Sequence, residues 1–270
     1  MGTSGVSWKP PSLLDLKRCT AIAVTSVHAA LTEYAARRCQ SQCTFADLFV
    51  LSDLALGVPG RRIEPLRGLA DYNRFLHQRL IDHVQSDFVL IFQWDGFVRD
   101  PNAWTDAFLD YDYVGAPWPA ETSPPGRHVG NGGFSLRSRR LLEALADPEL
   151  AFDPTRPEDK VICRELRPQL EEKHGIRFAP VELAARFSFE HGGHEQPTFG
   201  FHGDFNFPLV LPEADLFEAL RLVPASFWSE GRIWKWLRRA RKAGRTDLAQ
   251  RLYRHCRETY PEQTQAWPRR

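Results

Sequence analysis

Five consecutive apolar residues, Phe88 to Phe92, lead directly into the polar segment Gln93-Trp94-Asp95-Gly96. A strand that is apolar on both faces is typical of the buried interior of a parallel sheet. Such a strand needs helices on both sides of its sheet, which limits the fold to the α/β class. Ligands of these sheets gather at the carboxyl ends of the strands. The run therefore predicts that Asp95 stands at a ligand-binding edge.

The segments around this run alternate between strand and helix patterns. Two further strands are predicted before it, and Asp53 follows the second of them. Helices are predicted at 28–39, 72–84, 138–146 and 160–169, and strands at 20–25, 45–51, 88–92 and 113–118. This order predicts a doubly wound sheet, with Asp53 and Asp95 at the same edge.

Composition shifts near the C-terminus, where Trp, Leu and Ala residues are set among many Arg and Lys residues. The pattern predicts a helical hairpin broken near Gly244. We therefore divide the chain into an N-terminal extension (1–19), a main domain (20–225) and a basic helical hairpin (226–270). The basic face is either a solvated surface or a surface for an acceptor or partner, and the solvated surface is the simpler interpretation.

The charge balance excludes some classes of partner. Thirty-five basic and 34 acidic residues give a formal net charge of +1, so no global field attracts nucleic acid or a membrane. No stretch approaches the ~20 apolar residues of a spanning helix, and the opening residues lack a signal-peptide pattern. We expect a cytoplasmic protein, and the five scattered cysteines are expected to be reduced.

Each candidate chemical group also has a structural interpretation. Asp95 either binds a divalent cation or begins a tight turn with Gly96. The pair Glu158-Asp159 either supplies a base or caps the helix that follows. His202, in a loop with flanking glycines, either ligates a metal or forms structural hydrogen bonds. Asn131-Gly132-Gly133 either admits a ligand close to the backbone or forms a turn, and its spacing excludes a P-loop and a dinucleotide fingerprint.

Several separated motifs occur in one order along the chain. They are Tyr72-Asn73, QWDGF at 93–97, VGAPW at 114–118, VGNGGFSLR at 129–137, Glu158-Asp159 and FGFH at 199–202. From about Thr20 to Phe207 the chain resembles a little-characterised family of bacterial glycosyltransferase-like domains. That family is similar to enzymes of the glycosyltransferase A fold, especially the fringe and core β-1,3-galactosyltransferase type. The resemblance implies a Rossmann-like mixed sheet flanked by helices, with the helical hairpin at its C-terminus.

The resemblance also implies roles for individual residues. Asp95 and His202 would bind Mn²⁺ or Mg²⁺, and Asp159 or Glu158 would be the catalytic base. The donor nucleotide sugar would be contacted by a larger set of residues: Thr25, Asp53, Asn73, Gln93, Trp94, Asn131, Gly132 and Gly133. Gln93 departs from the family pattern, because it stands where the relatives have the first acidic residue of an Asp-x-Asp motif, and one anionic ligand is thereby lost.

The implied activity is metal-assisted, inverting transfer of a sugar from a nucleotide diphosphate sugar, the uridine form by analogy, to an acceptor hydroxyl. The expected partners are that donor and a carbohydrate or other hydroxyl-bearing acceptor, without nucleic acid. Two alternatives stay open. The chain could be a non-catalytic module that binds a nucleotide sugar or carbohydrate, or a hydrolase of nucleotide sugars in which Asp159 activates water.

Overall fold

A computed structural model describes residues 13–267. A six-stranded sheet forms its centre, with the strand order β3-β2-β1-β4-β6-β5. The strands are β1 (Leu14–Val24), β2 (Cys43–Ser52), β3 (Gly60–Arg62), β4 (Phe88–Phe92), β5 (Tyr113–Gly115) and β6 (Phe134–Ser138). Strands β1 to β4 are parallel, whereas β6 is antiparallel to both β4 and β5. A separate parallel pair is formed by β7 (Ser188–Phe189) and β8 (Gly200–Phe201).

Helices cover both faces of the sheet. They are α1 (Ala29–Gln40), α2 (Leu69–Gln78), α3 (Arg139–Leu145), α4 (Glu158–Lys160), α5 (Arg167–His174), α6 (Val181–Phe187), α7 (Phe207–Val210), α8 (Glu213–Leu222), α9 (Ala225–Ser229), α10 (Arg232–Lys242) and α11 (Thr246–Thr259). Successive side chains of a strand point to opposite faces of its sheet, so β1 contributes to the packing on both faces. Ala21 and Ala23 pack in the core shared with α1 and the C-terminal helices, and Ile22 and Val24 pack with α2. The mixed α/β sheet flanked by helices is confirmed.

Several predicted boundaries differ from the observed elements. Strand β1 begins at Leu14, inside the predicted N-terminal extension, of which residues 1–12 lie outside the described part. In the first part of this strand, Leu14–Arg18, charged residues stand between and after the leucines, so the apolar pattern of the later residues is missing. The pairing with β2 also shifts in register between Leu16 and Thr20. The helix predicted at 72–84 ends at Gln78 and continues as a 3₁₀ turn at Leu80–His83.

The helix predicted at 160–169 is divided. A π-helical segment at Val161–Glu165 separates α4 from α5, and Pro168 lies in the first turn of α5. Proline has no N–H with which to continue the helical hydrogen bonds, so a regular helix cannot pass through it. The carbonyl of Arg164 accepts from the Arg127 guanidinium instead, at 2.5 Å.

The predicted C-terminal hairpin is formed by α10 and α11, with Gly244 between them at a φ of 74°. Its apolar side belongs to the same core as the sheet, through Ile233, Trp236 and Leu252 among others. Residues 268–270 of the predicted hairpin lie outside the described part. Within residues 13–267 no helix combines the length and the apolar character needed to cross a membrane.

Candidate active site

The antiparallel pairing of β4 and β6 creates the site. The last residue of β4, Phe92, pairs with the first residue of β6, Phe134. The segment that follows β4 therefore lies beside Asn131-Gly132-Gly133, which precedes β6. This one strand pairing brings together two segments that are about forty residues apart in the sequence. They meet at the edge of the sheet where the parallel strands end.

Asp95 lies in a tight turn at this edge. The backbones of Gln93 and Gly96 exchange two hydrogen bonds, of 2.9 and 3.1 Å, which leaves Trp94 and Asp95 at the tip. The turn interpretation of Asp95 is thus correct, and it is compatible with a site. Asp95 is only 7% exposed, and its Oδ1 atom is buried without a hydrogen-bond partner. A buried carboxylate oxygen in this state is costly unless a cation or donor reaches it.

His202 faces Asp95 and also contacts Glu190. Its Nε2 atom is 3.5 Å from Asp95 Oδ1, and its Nδ1 atom is 3.3 Å from Glu190 Oε1. Burial lowers the pKa of His202, but the two carboxylates raise it more strongly, to about 10. Burial raises the pKa of Asp95, whereas the charges of His202 and Arg232 hold it below its usual value. The described structure therefore holds an imidazolium between two carboxylates.

Glu190 was not predicted from the sequence. It follows β7 as His202 follows β8, and the pairing of Phe189 with Phe201 sets the two side chains at equivalent strand ends. Its second oxygen accepts from the Asn131 amide at 2.9 Å. The only available signal was the similarity of Ser-Phe-Glu and Gly-Phe-His, because a strand of two residues is too short to give a hydrophobic period.

Gly132 and Gly133 fit between two walls of the site. A Cβ atom on Gly133 would stand 2.1 Å from His202 Nε2, and one on Gly132 would stand 1.7 Å from Glu158 Oε1. Neither position admits a larger residue without rearrangement. Asn131 before them has a φ of 64°, a left-handed conformation that Asn tolerates better than most residues. Its Oδ1 atom is buried and has no partner, so it remains free to accept from a ligand.

Glu158 does not occupy the position of a free base. It is 5% exposed and pairs at 2.8 Å with Arg137, which is completely buried near the end of β6. Burial raises the pKa of Glu158 and the Arg137 charge opposes that rise. Asp159, in contrast, is partly exposed and its Oδ2 accepts from the Gly132 N–H at 3.3 Å. Of the two predicted bases, the structure leaves Asp159 accessible beside the glycine segment and uses Glu158 to neutralise Arg137.

A cleft of about 320 Å³ adjoins this centre along the ends of β1 and β4. Thr25, Tyr72, Gln93 and Trp94 are among its lining residues. Gln93 Nε2 donates to the Tyr72 hydroxyl at 2.8 Å, which fixes both side chains. The predicted residues Thr25, Gln93 and Trp94 are thus brought together.

Two other predicted contacts are placed differently. Asn73 is fully buried, and its amide donates to the carbonyls of Pro154 and Arg156 at 2.7 and 2.6 Å. This side chain supports the loop before Glu158 and does not face the cleft. Asp53 lies in a bend just after β2 and is not among the residues that line the cleft.

The C-terminal helices hold the His202 loop in place. Arg232 of α10 pairs with Asp204 at 2.6 Å, and the Trp236 indole donates to the same carboxylate at 2.9 Å. Arg232 also stacks over the Trp94 ring, at 5.3 Å from its centre. The hairpin region therefore contributes to the geometry of the site from the far end of the chain.

The residues present would suit a divalent cation with few protein ligands. Within residues 13–267 no group of three or more His, Cys, Asp or Glu side chains is arranged to hold a metal. Asp95 and His202 could supply two ligands, with Glu190 on the other imidazole nitrogen, where a carboxylate commonly orients a metal-bound histidine. A cation there would have to replace the proton on His202 Nε2. The five cysteines take no part, since all are buried free thiols.

The fold and the site together define a mixed α/β domain with a buried carboxylate–imidazole centre at the strand-end edge of its sheet. A model of the family described as "Protein of unknown function (DUF5672)" matches residues 62–202, more than half of the chain. The chain therefore belongs to this family. No curated protein matches it.

Several solved structures of glycosyltransferases are similar to the chain. One, involved in the glycosylation of the major capsid of PBCV-1, has a TM-score of 0.45 and 13% identity, covering 76% of this chain and 99% of its own. Glucosyl-3-phosphoglycerate synthase from Mycobacterium tuberculosis has a TM-score of 0.43 and 15% identity, with 78% of each chain covered. The mannosyltransferase PcManGT from Pyrobaculum calidifontis has a TM-score of 0.42 and 15% identity, covering 96% of this chain and 86% of its own.

Proposed function

We propose that this protein is a glycosyltransferase that moves a sugar from a nucleotide diphosphate sugar to an acceptor hydroxyl. The observation that carries the proposal is the convergence of Asp95, His202 and Glu190 beside a cleft with two aromatic walls. A reaction of this kind needs a pocket for a nucleoside, a positive charge at the diphosphate and a base at the acceptor. Each of these has a candidate in the described residues.

The cleft at Thr25 is the candidate nucleoside pocket. Tyr72 and Trp94 offer aromatic surfaces, on which a base can stack. The hydrogen bond between Gln93 and Tyr72 holds this wall rigid, so little side-chain entropy is lost when a ligand binds. The Thr25 hydroxyl donates to the Val27 carbonyl at 2.6 Å, and Thr25 lines the cleft.

The centre beside the cleft is the candidate diphosphate site. Asp95 and His202 would hold a divalent cation there, and a bound cation supplies charge that neutralises the diphosphate leaving group. Hard cations such as Mg²⁺ often have only one or two protein ligands and take the rest from phosphate and water. Glu190 keeps the imidazole oriented toward Asp95, and Asn131 keeps Glu190 in place.

Asp159 is the candidate base. Its carboxylate lies against the backbone of Gly132, where an acceptor could approach a donor sugar that rests on the glycine segment. In this role Asp159 accepts the proton of the acceptor hydroxyl as the oxygen attacks the anomeric carbon, and the nucleoside diphosphate leaves from the opposite side. Attack from the opposite side inverts the configuration at that carbon.

The first experiment measures donor binding. Calorimetric titration of wild-type protein with UDP and GDP sugars, with Mn²⁺ or with EDTA, should give saturable binding that depends on the metal. Asp95→Asn should lose this dependence. Asp82→Asn, which breaks the exposed pair with Arg79 at 2.9 Å, is the matched control and should bind as the wild type does. If the donor bound equally well in EDTA, the proposed metal dependence would be wrong. The positive charge of His202 would then be the group that meets the diphosphate.

The second experiment measures turnover. Asp159→Asn should retain donor binding but lose transfer, because only the acceptor proton lacks a base. Product analysis separates the alternatives: a glycosylated acceptor supports a transferase, whereas free sugar alone identifies a hydrolase. Full transfer activity in Asp159→Asn would show that another group is the base.

A further inference from the structure

A second cleft, of about 440 Å³, lies beside His191, whose Nε2 atom is 3.3 Å from Glu190 Oε2. We name it the basic cleft. It is lined by His191, Phe205, Lys235, Arg238, Arg239 and Lys242. Its volume is within the range of small-molecule sites. No carboxylate is among its lining residues, so four cationic side chains share one concavity.

The helical period places these cations together. Lys235, Arg238, Arg239 and Lys242 follow the spacing i, i+3, i+4, i+7 along α10, which is a single helix face. The opposite face, with Ile233, Trp236, Leu237 and Ala240, is buried in the core. Like charges at these spacings repel one another. The helix dipole favours cations in the last turn of α10 but disfavours one in its first turn, where Lys235 stands.

Two ion pairs of the C-terminal region are made by basic residues that do not line the basic cleft. Arg232 pairs with Asp204 and Arg251 pairs with Glu213 at 2.8 Å. In the part of the chain that the structure describes, the exposed side chains of Lys235, Arg238 and Lys242 make no ion pair or hydrogen bond. Three exposed cations on one helix face, none of them in an ion pair among the described residues, supply the positive charge that a binding site for an anion requires.

Arg239 forms the inner wall of the basic cleft. It donates to Asn206 Oδ1 at 3.0 Å and lies over the Phe205 ring at 5.7 Å from its centre. Its Nε atom is buried and has no partner. A guanidinium donor without a partner forms a charge-assisted hydrogen bond when an anionic oxygen reaches it.

The basic cleft is connected to the candidate active site by two residues. His191 stacks nearly parallel on Phe205, at 5.6 Å between ring centres, and its Nε2 is 3.3 Å from Glu190 Oε2. The Asn206 amide, whose oxygen accepts from Arg239, donates to the carbonyls of Glu190 and His202 at 2.7 and 2.8 Å. A ligand that spans the two sites would therefore place its anionic end in the basic cleft and its neutral end near the centre.

We propose that the basic cleft binds a phosphate group carried by the acceptor, so that the acceptor is a phosphate-bearing molecule. That this ligand is the acceptor rests on the proposed transferase function, whereas phosphate binding itself does not. Arginine and lysine clusters are the usual phosphate binders of proteins. A single concave cleft suits one phosphate group better than the extended backbone of a nucleic acid, which needs a long basic track.

The test uses the full chain and inorganic phosphate as the probe, by calorimetry at low salt in EDTA. The triple variant Lys235→Gln/Arg238→Gln/Lys242→Gln removes exposed charges without breaking an observed bond. The control Lys17→Gln/Lys173→Gln/Arg254→Gln removes the same charge elsewhere on the surface. We expect one saturable site in the wild type and the control, and at least about tenfold weaker binding in the cleft variant, since charge-assisted hydrogen bonds are lost.

Two further arms separate the sources of phosphate and the two proposals. Glucose 6-phosphate should compete with inorganic phosphate, whereas glucose should not. If vesicles containing phosphatidic acid bind and soluble phosphate does not, the basic cleft is a membrane-facing surface and the proposal is wrong. Equal weakening in the control triple variant would also overturn it. Phosphate binding should persist in Asp95→Asn, so failure of the metal site and failure of the basic cleft give different results.

Discussion

The buried pair of Arg137 and Glu158 offers the sharpest test of how the site is built. Arg137 is completely buried in β6, and Glu158 at 2.8 Å is the only carboxylate paired with it among the described residues. Its other polar contact is a 3.1 Å hydrogen bond from Nε to Ser135 Oγ. Glu158→Gln therefore leaves a guanidinium charge in the core with no anion beside it.

The expected cost follows from this burial. Removing one partner of a buried ion pair destabilises a protein by about 3–5 kcal/mol. Glutamine can still accept one hydrogen bond from Arg137, so we expect about 3 kcal/mol. For a chain of this size each kcal/mol lowers Tm by roughly 2–4 °C. The melting temperature of Glu158→Gln should therefore fall by roughly 6–12 °C, with a matching loss in urea unfolding.

A surface pair provides the comparison. Glu171→Gln breaks the 2.7 Å ion pair with Arg167, in which the Glu171 side chain is 44% exposed. This change should lower the free energy of unfolding by less than about 1 kcal/mol. The double variant Arg137→Met/Glu158→Leu, which removes both charges, should recover stability relative to Glu158→Gln. If Glu158→Gln melted within about 2 °C of the wild type but lost turnover, Glu158 would be the base and its structural role would be wrong.

Three other perturbations test separate parts of the molecule. Glu190→Gln should weaken Mn²⁺ binding about 10–100-fold in calorimetry, because a carboxylate behind a metal-binding imidazole orients the ring. The control is Glu195→Gln, which breaks the 3.2 Å pair with His194. An equally large loss of Mn²⁺ affinity in the control would contradict the role of Glu190. Gly133→Ala should abolish donor binding in the same titration, since its Cβ would overlap the site imidazole, while Gly192→Ala, with open space around it, should not. Burial lowers the pKa of His77 to about 3, so below its ordinary pKa of 6.5 the unfolded chain binds a proton that the folded chain does not. Stability therefore falls as the pH is lowered, and between pH 7 and 5 the wild type should lose about 2 kcal/mol more than His77→Leu in urea unfolding; parallel pH profiles would show that the imidazole is not held neutral.

The elements that the sequence predicted best are those whose own residues carry the pattern. Phe88–Phe92 forms a buried strand because every residue is apolar, and the hairpin around Gly244 forms because Trp, Leu and Ala repeat at helical spacing. Leu14–Arg18 and the segment around Pro168 were misjudged. In these places the outcome depends on a neighbouring strand or on a missing N–H, and neither leaves a periodic signal.

The candidate site shows the same division. The resemblance implied that Asp95 and His202 bind one metal ion together. In the structure His202 Nε2 lies 3.5 Å from Asp95 Oδ1. Glu190 was missed, and Asp159 and Glu158 were left as alternative bases, because sequence position cannot show which carboxylate meets a buried cation. Burial and pairing depend on residues far away in the chain, such as Arg137 for Glu158.

By itself the sequence determined where apolar strands end in polar residues and which face of α10 carries four cations, since both depend on spacing within one element. Only the tertiary structure decided that β6 runs antiparallel to β4, which brings Asn131-Gly132-Gly133 beside Asp95. It also decided that the Glu190 and His202 side chains meet, through pairing of two strands of two residues each. These contacts join residues whose separation along the chain carries no periodic pattern, so packing alone selects them.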